Sequence, residues 1–249
     1  ENFSIAVFGF MNTISEGLVK VTIADVVARR AGLASSSRSV TAASLEHAKR
    51  CNPHLNAFTC IDDVNALRVA QASDERVSSG QAPRPLEGVP VCVKDVFCTS
   101  DLPTTAGSRM LLNFNARYDA TAVHRLRESG AVIVGKNNMD EFSMGSSTAH
   151  SVHGAARNPL DLQMSPGGSS GGTAAAVASG CAVAGIGSDT GGSVRQPAAL
   201  CGVVGFKPSY GAISRHGLIA MASSLDTVGV VTRTVEDART MFSVLRGPD

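Results

Sequence analysis

The sequence contains no tryptophan, and its aromatic residues make up only 4% of the 249. A core without large rings has to be filled by aliphatic side chains, and a hydrophobic share of 43% is enough to supply them. Lysine is scarce as well, with five residues against seventeen arginines. A lysine inside an apolar strand therefore stands out. Charge of one sign is also missing: the net charge of +1 argues against direct contact with nucleic acid or an acidic membrane. No apolar run reaches the ~18 residues that a membrane-spanning helix needs. The six cysteines (51, 60, 92, 98, 181 and 201) include no C-x-x-C pair and have no histidine cluster beside them. A zinc site is therefore not expected, nor any other metal, and buried thiols in a reducing interior fit better than a disulfide framework.

The chain opens on Glu1 rather than methionine, so its start is expected to be cut or processed. Residues 1–40 mix apolar stretches with Arg29, Arg30, Arg38 and the run Ser35-Ser36-Ser37, a faintly leader-like composition that Glu1, Glu16 and Asp25 oppose. Further along, the periodicity predicts a helix from Ala42 to Cys51, broken by Asn52-Pro53. A short extended piece follows over 55–62, then a helix to about Ser78 capped by Asp62 or Asp63. Leu86 to Asp95 reads as a buried strand closing on Lys94, and 104–108 as a loop. Helices are expected at 119–129, from Asn138 as cap, after Gly172 and at 235–245. Strands are expected at 131–134, 183–186 and 203–206. Helices alternating with apolar strands define an α/β fold.

The richest stretch runs from Ser165 to Lys207. It holds two glycine-flanked serine clusters, Gly167-Gly168-Ser169-Ser170-Gly171-Gly172 and Asp189-Thr190-Gly191-Gly192-Ser193. Glycines around a serine let the backbone come close to a ligand and aim its N–H groups inward, which suits an anion. That anion is either a bound phosphate or a transient oxyanion. The lysine of a phosphate-binding G-x-x-x-x-G-K-[ST] loop is missing, which disfavours a nucleotide. No G-x-S-x-G elbow occurs and no histidine adjoins the clusters, so the base that activates Ser193 has to come from elsewhere. Lys94 is the candidate, because desolvation at the end of a buried strand favours its neutral form. Ser169 is placed to relay the proton. Lys207 ends a strand too, but Pro208 follows it and it is read as structural.

With Val93-Lys94-Asp95 upstream, GGSSGG at 167–172 and GSDTGGSVRQPAALCGVVGFKPSYG at 187–211 resemble the amidase signature family over residues 40–249. The resemblance implies a mixed, largely parallel central sheet covered by helices on both faces. It implies one domain over 1–249, with a mainly helical segment at 1–80, a catalytic core at 81–249 and an incomplete C-terminal end. It also implies a Ser–Ser–Lys triad: Lys94 as base, Ser169 as bridging serine held by a cis peptide bond, and Ser193 as acyl-forming nucleophile. Thr190, Gly191 and Gly192 would form the oxyanion hole. Met144, Gly145, Ser146 and Asp189 are expected on the substrate side, with Asp189 and Arg195 also fixing the loop around Ser193. Ser170 is expected to bond backbone, Cys181 and Cys201 to act as small buried filler, and His150, His153 and His216 to sit in loops.

Residues 138–142, 144–148, 214–219 and 223–226 are similar to the family's glutamine-hydrolysing members, which supply ammonia to a tRNA-dependent amidotransferase. Ala149-His150 departs from their pattern. This likeness implies glutamine or another small amide as substrate, and a hetero-oligomer with a tRNA-binding subunit. ATP and Mg would be used only in that partner, with no cofactor here, in a mitochondrial matrix or bacterial cytoplasm. A stand-alone small-amide hydrolase and an inactive binding module are the alternatives.

Overall fold

The structure is a computed structural model, which describes residues 18–32 and 35–247. The start expected to be processed, and the part of the leader-like stretch before residue 18, lie outside the described residues. Helix α1 (Ile23–Ala31) buries Ile23 and Val26. Helix α2 (Ser37–Leu55) starts at a capping box in which Ser36 and Ser39 bond each other's backbone. It does not stop at Asn52-Pro53 as expected. Pro53 falls in the last turn, where its missing N–H costs a single bond, and the helix ends at left-handed Asn56. The Asn52 amide instead bonds Phe58 in both directions (2.8 and 3.1 Å), folding strand β1 (Phe58–Ile61) back against the helix. Asp62 caps α3 (Asp63–Ser78) as the sequence predicts.

The remaining elements are β2 (Pro90–Lys94), α4 (Thr121–Glu128), β3 (Val132–Asn137), α5 (Gly171–Ala178), β4 (Ala184–Asp189), α6 (Arg195–Leu200), β5 (Val204–Phe206), β6 (Thr227–Thr232) and α7 (Val235–Leu245). The six strands form one sheet in the order β1-β3-β2-β4-β6-β5. Strands β3, β2 and β4 are mutually parallel, while β1 and β6 run against them. Strand β5 is antiparallel to β6 and so points the same way as β4. The fold is thus the expected mixed α/β sheet, and β1 ties the N-terminal helical segment into it.

Strand alternation divides the core between the two faces. Val91, Val93, Ile133, Val228 and Val230 face one side, against α1, α4 and α7. Cys92, Val132, Val134 and Val231 face the other, against α2, α3 and α5. Strand β3 outruns the apolar stretch 131–134 because it takes in Lys136, which is fully buried. Its ammonium is matched by Asp95 (3.2 Å) and by the Phe97 and Pro103 carbonyls (both 2.9 Å). Asn138, expected as a helix cap, instead donates to the Asn56 and Gly154 carbonyls (3.0 and 2.9 Å). Only a single turn, Glu141–Ser143, follows it. Among the described residues no helix is long and apolar enough to cross a membrane.

Candidate active site

The three parallel strands end together, and the site lies at their carboxyl ends, as is general for such sheets. Lys94 is the last residue of β2 and Asp189 the last of β4. Lys94 exposes none of its surface. Its Nζ lies 2.7 Å from Ser169 Oγ and 2.8 Å from Ser188 Oγ. Burial pulls its pKa down to about 7, a shift that Asp140, Asp189 and Asp226 oppose. A buried lysine with only hydroxyl partners has a substantial neutral fraction near neutrality, as a base requires. Ser188 is a member of the site that was given no role, although it lies within the 187–211 stretch. It also lies 3.3 Å from Ser143 Oγ, so a second hydroxyl pair runs from the lysine toward the cleft.

Ser169 follows a cis peptide bond, Gly168–Ser169. A Cβ on Gly168 would overlap the Asp140 carboxylate and the Ser147 and Thr148 amides, so only glycine allows this approach. Gln196, also not anticipated, holds the loop from the other side. Its Oε1 accepts from Gly168 N (2.9 Å) and its Nε2 donates to Ser146 O (3.1 Å). Ser170 does bond backbone, donating from its hydroxyl to Ser188 O (3.2 Å) and from its amide to Ser193 O (3.0 Å). That last bond joins the two serine clusters. No hydrogen bond links the Ser169 and Ser193 hydroxyls among the described residues.

Ser193 opens onto a cleft of about 420 Å³, lined by Met144, Gly145 and Ser146 on one side and Gly191, Gly192 and Ser193 on the other. Ser143, Gly168, Gln196 and Met221 complete the lining. Two expected roles change. The Asp189 carboxylate is fully buried and takes the amides of Gly192 (2.8 Å), Val194 (3.1 Å) and Arg195 (3.2 Å) and the Arg195 guanidinium. Desolvation pushes its pKa up, but these donors outweigh it and hold the group below the usual carboxylate range. Saturated in this way, Asp189 shapes the loop and has nothing left for a substrate. The same bond occupies the Gly192 amide, which was expected to serve an oxyanion. The amides of Gly191 and Ser193 have no partner among the described residues. Thr190 is tethered through its hydroxyl to Asp226 (2.6 Å).

The cleft wall at 140–150 is shaped by another buried carboxylate. Asp140 accepts from the amides of Ser147 (3.2 Å), Thr148 (2.8 Å) and His150 (3.3 Å). Lys207 is excluded as an alternative base by position, since it follows edge strand β5 and donates to the Pro208 carbonyl (2.8 Å). His153 bonds Thr105 (3.0 Å), and exposed His216 stacks on Tyr118.

A buried lysine on paired serines at the strand ends, beneath a cleft rimmed by glycine amides, is an arrangement suited to chemistry on a carbonyl group. Residues 39–249 match the family called Amidase, and the chain belongs to it. A glutamyl-tRNA(Gln) amidotransferase subunit of Coxiella burnetii is 52% identical over 214 residues, 86% of this chain and 44% of that relative. Among solved structures, the corresponding glutamyl-tRNA(Gln) amidotransferase subunit of Thermotoga maritima superposes with a TM-score of 0.81 at 44% identity. That superposition covers 93% of this chain and 48% of the other. Native peptide amidase of Stenotrophomonas maltophilia gives a TM-score of 0.88 at 36% identity, over 93% and 49% of the two chains. The chain spans about half the length of the curated relatives it matches.

Proposed function

We propose that this chain carries the catalytic half of an amide hydrolase that works by acyl transfer to Ser193. The observation that carries the proposal is Lys94 Nζ, fully buried and 2.7 Å from Ser169 Oγ. In the proposed cycle Ser193 Oγ attacks the amide carbonyl, and its proton passes through Ser169 Oγ to neutral Lys94. The tetrahedral oxyanion is received by the amides of Gly191 and Ser193, donors of a kind worth about 3 kcal/mol each. Collapse breaks the C–N bond, and the lysine proton returns through Ser169 to the leaving amine. Water then releases the acyl group from Ser193 by the same relay in reverse. Hydrogen bonds of this kind often tighten only around substrate, and we assign the Ser169–Ser193 bond to that state.

We further propose that the amide is glutamine, and that the ammonia serves a partner subunit that binds tRNA and uses ATP and Mg. The 52% identity to a glutamyl-tRNA(Gln) amidotransferase subunit supports this reading. Asp140 and its amides, which shape the wall made by the residues similar to those members, are consistent with it. In this role the chain needs no cofactor of its own and works inside the cell, in a mitochondrial matrix or a bacterial cytoplasm. A stand-alone amidase is the second reading, favoured by the higher TM-score to peptide amidase.

The test is ammonia release from glutamine and from simple primary amides, with and without candidate partner subunits, together with labelling by a serine-directed phosphonate. The proposal expects one label, on the peptide containing Ser193, and loss of labelling in Ser193→Ala and Lys94→Ala. Labelling elsewhere would overturn the nucleophile assignment. Ser170→Ala as damaging as Ser169→Ala would overturn the relay. Activity on simple amides alone would select the second reading.

A further inference from the structure

A second constellation lies apart from the cleft, on helix α2. His47 and Cys51 are four residues apart on α2 and so share a face. The loop after α5 brings Cys181 against them from 130 residues away. Nothing in the cysteine spacing hints at this meeting. His47, Cys51 and Cys181 are all buried, with exposures of 2%, 0% and 1%. One ligand atom from each, an imidazole nitrogen and two thiol sulfurs, lies within 4.8 Å of the other two.

From this geometry we propose that His47, Cys51 and Cys181 form a structural site for a thiophilic divalent cation of the zinc type. Tetrahedral Zn2+ with bonds of about 2.3 Å to sulfur and about 2.0 Å to nitrogen sets its N and S ligands roughly 3.5 Å apart. Cys51 Sγ lies 3.4 Å from His47 Nε2. A fourth oxygen is at hand in the Ser179 carbonyl, 2.9 Å from the same nitrogen. The surroundings resemble those of a held ligand set. Ser179 Oγ lies 3.2 Å from Cys181 Sγ while its hydroxyl bonds the Ala175 carbonyl (2.7 Å), and Ser44 Oγ donates to the Cys181 carbonyl (2.6 Å), fixing the loop on α2. Two thiolates and one divalent cation are together neutral, which suits so enclosed a place.

Without metal, His47 Nε2–H points at the Ser179 carbonyl and Nδ1 accepts from Arg50 (3.3 Å). Cation binding holds both sulfurs as thiolates, any thiol proton still present passing to solvent, and places the imidazole proton on Nδ1. Arg50, whose side chain is 44% exposed, then turns away. The bound cation joins α2 to the far end of the helix that Ser169 and Ser170 precede. It contributes to stability rather than to the chemistry of the cleft.

The test uses the whole chain, reduced and stripped of metal, titrated with Co2+ as a spectroscopic probe and then with Zn2+. The proposal expects one equivalent bound, thiolate-to-cobalt charge transfer with tetrahedral d–d bands, and displacement by Zn2+. Cys51→Ala and Cys181→Ala should each weaken Zn2+ binding by more than about 100-fold, while Cys201→Ala, a buried cysteine outside the cluster, should leave it unchanged. X-ray absorption on the unaltered Zn2+-loaded chain gives a readout that needs no variant, with two sulfur neighbours at about 2.3 Å expected. No stoichiometric binding, a first shell without sulfur, or binding that survives both substitutions would overturn the site.

Discussion

Replacing Lys94 by methionine probes the protonation of the buried amine through folding, independently of any substrate. Methionine keeps most of the apolar stem and removes the titrating nitrogen. Burial takes the lysine from its ordinary 10.5 to about 7 in the folded chain, against the pull of Asp140, Asp189 and Asp226. The unfolded chain therefore holds this proton over a pH range in which the folded chain has released it. Wherever the unfolded state binds more protons, stability rises with pH. The contribution is flat below about 7, climbs by about 1.4 kcal/mol per pH unit, and levels off past 10.5. Between pH 7 and pH 9 it amounts to about 2 kcal/mol. Urea unfolding of both proteins across that range, taken as wild type minus Lys94→Met, cancels the other titrating groups. The loss of partners for Ser169 and Ser188 in the variant adds an offset that does not depend on pH. A difference that stays level from pH 6 to 9, or climbs only above pH 10, would show the lysine charged at neutrality and remove the base from the proposed mechanism.

Glu87 gives a slope of the same sign at acid pH. Burial alone would raise its pKa, but Arg84, Ser73 and Arg76 overcome that and hold it at about 2, against an ordinary 4.5. Its contribution is present above about pH 4.5 and disappears as pH falls through 2. Acid unfolding of Glu87→Gln should therefore lack about 3 kcal/mol of the wild-type pH dependence between 5 and 2. Asp189→Asn leaves the Arg195 guanidinium and several amides poorly matched. It should abolish phosphonate labelling of Ser193 while costing about 2 kcal/mol in a denaturant melt. In Gly172→Ala the new methyl would overlap the Asn138 and Ala57 carbonyls, so a loss of about 2 kcal/mol or more is expected, and an unchanged Tm would contradict that packing. Gln196→Ala frees the loop that carries Gly168, and should slow labelling of Ser193 without lowering stability by more than about 1 kcal/mol.

Much of this was legible in the chain because local patterns carried it. The Asp62 cap, helix α7 and the buried strand ending on Lys94 follow from short-range rules, and the structure has them where expected. Strand β6 was missed because its threonines and Gly229 blunt the apolar signal, and its place between β4 and β5 is a long-range matter. Lys136 hid for a related reason: its partners Asp95, Phe97 and Pro103 lie some forty residues upstream. In the site, the glycine-flanked serines and Lys94 could be picked out by residue type. Ser188 and Gln196 lie in the 187–211 stretch, but residue type alone gave neither a role until the fold set them beside Lys94 and Gly168. Asp189 fixes the loop around Ser193 as expected, but its place on the substrate side and the oxyanion task of Gly192 were misjudged, because a sequence does not say which acceptor an amide will meet.

The enclosure of Lys94 has a chemical consequence of its own. A neutral primary amine beside an ester of serine would ordinarily be acylated itself, ending in a dead amide. Here every link from the amine toward the cleft is a hydroxyl, either Ser169 or Ser188 followed by Ser143. Protons hop across oxygen with little movement of heavy atoms, whereas a carbonyl carbon would have to travel through packed side chains to reach the nitrogen. In the proposed cycle the strand thus keeps a potent nucleophile in service as a base while protecting it from self-modification.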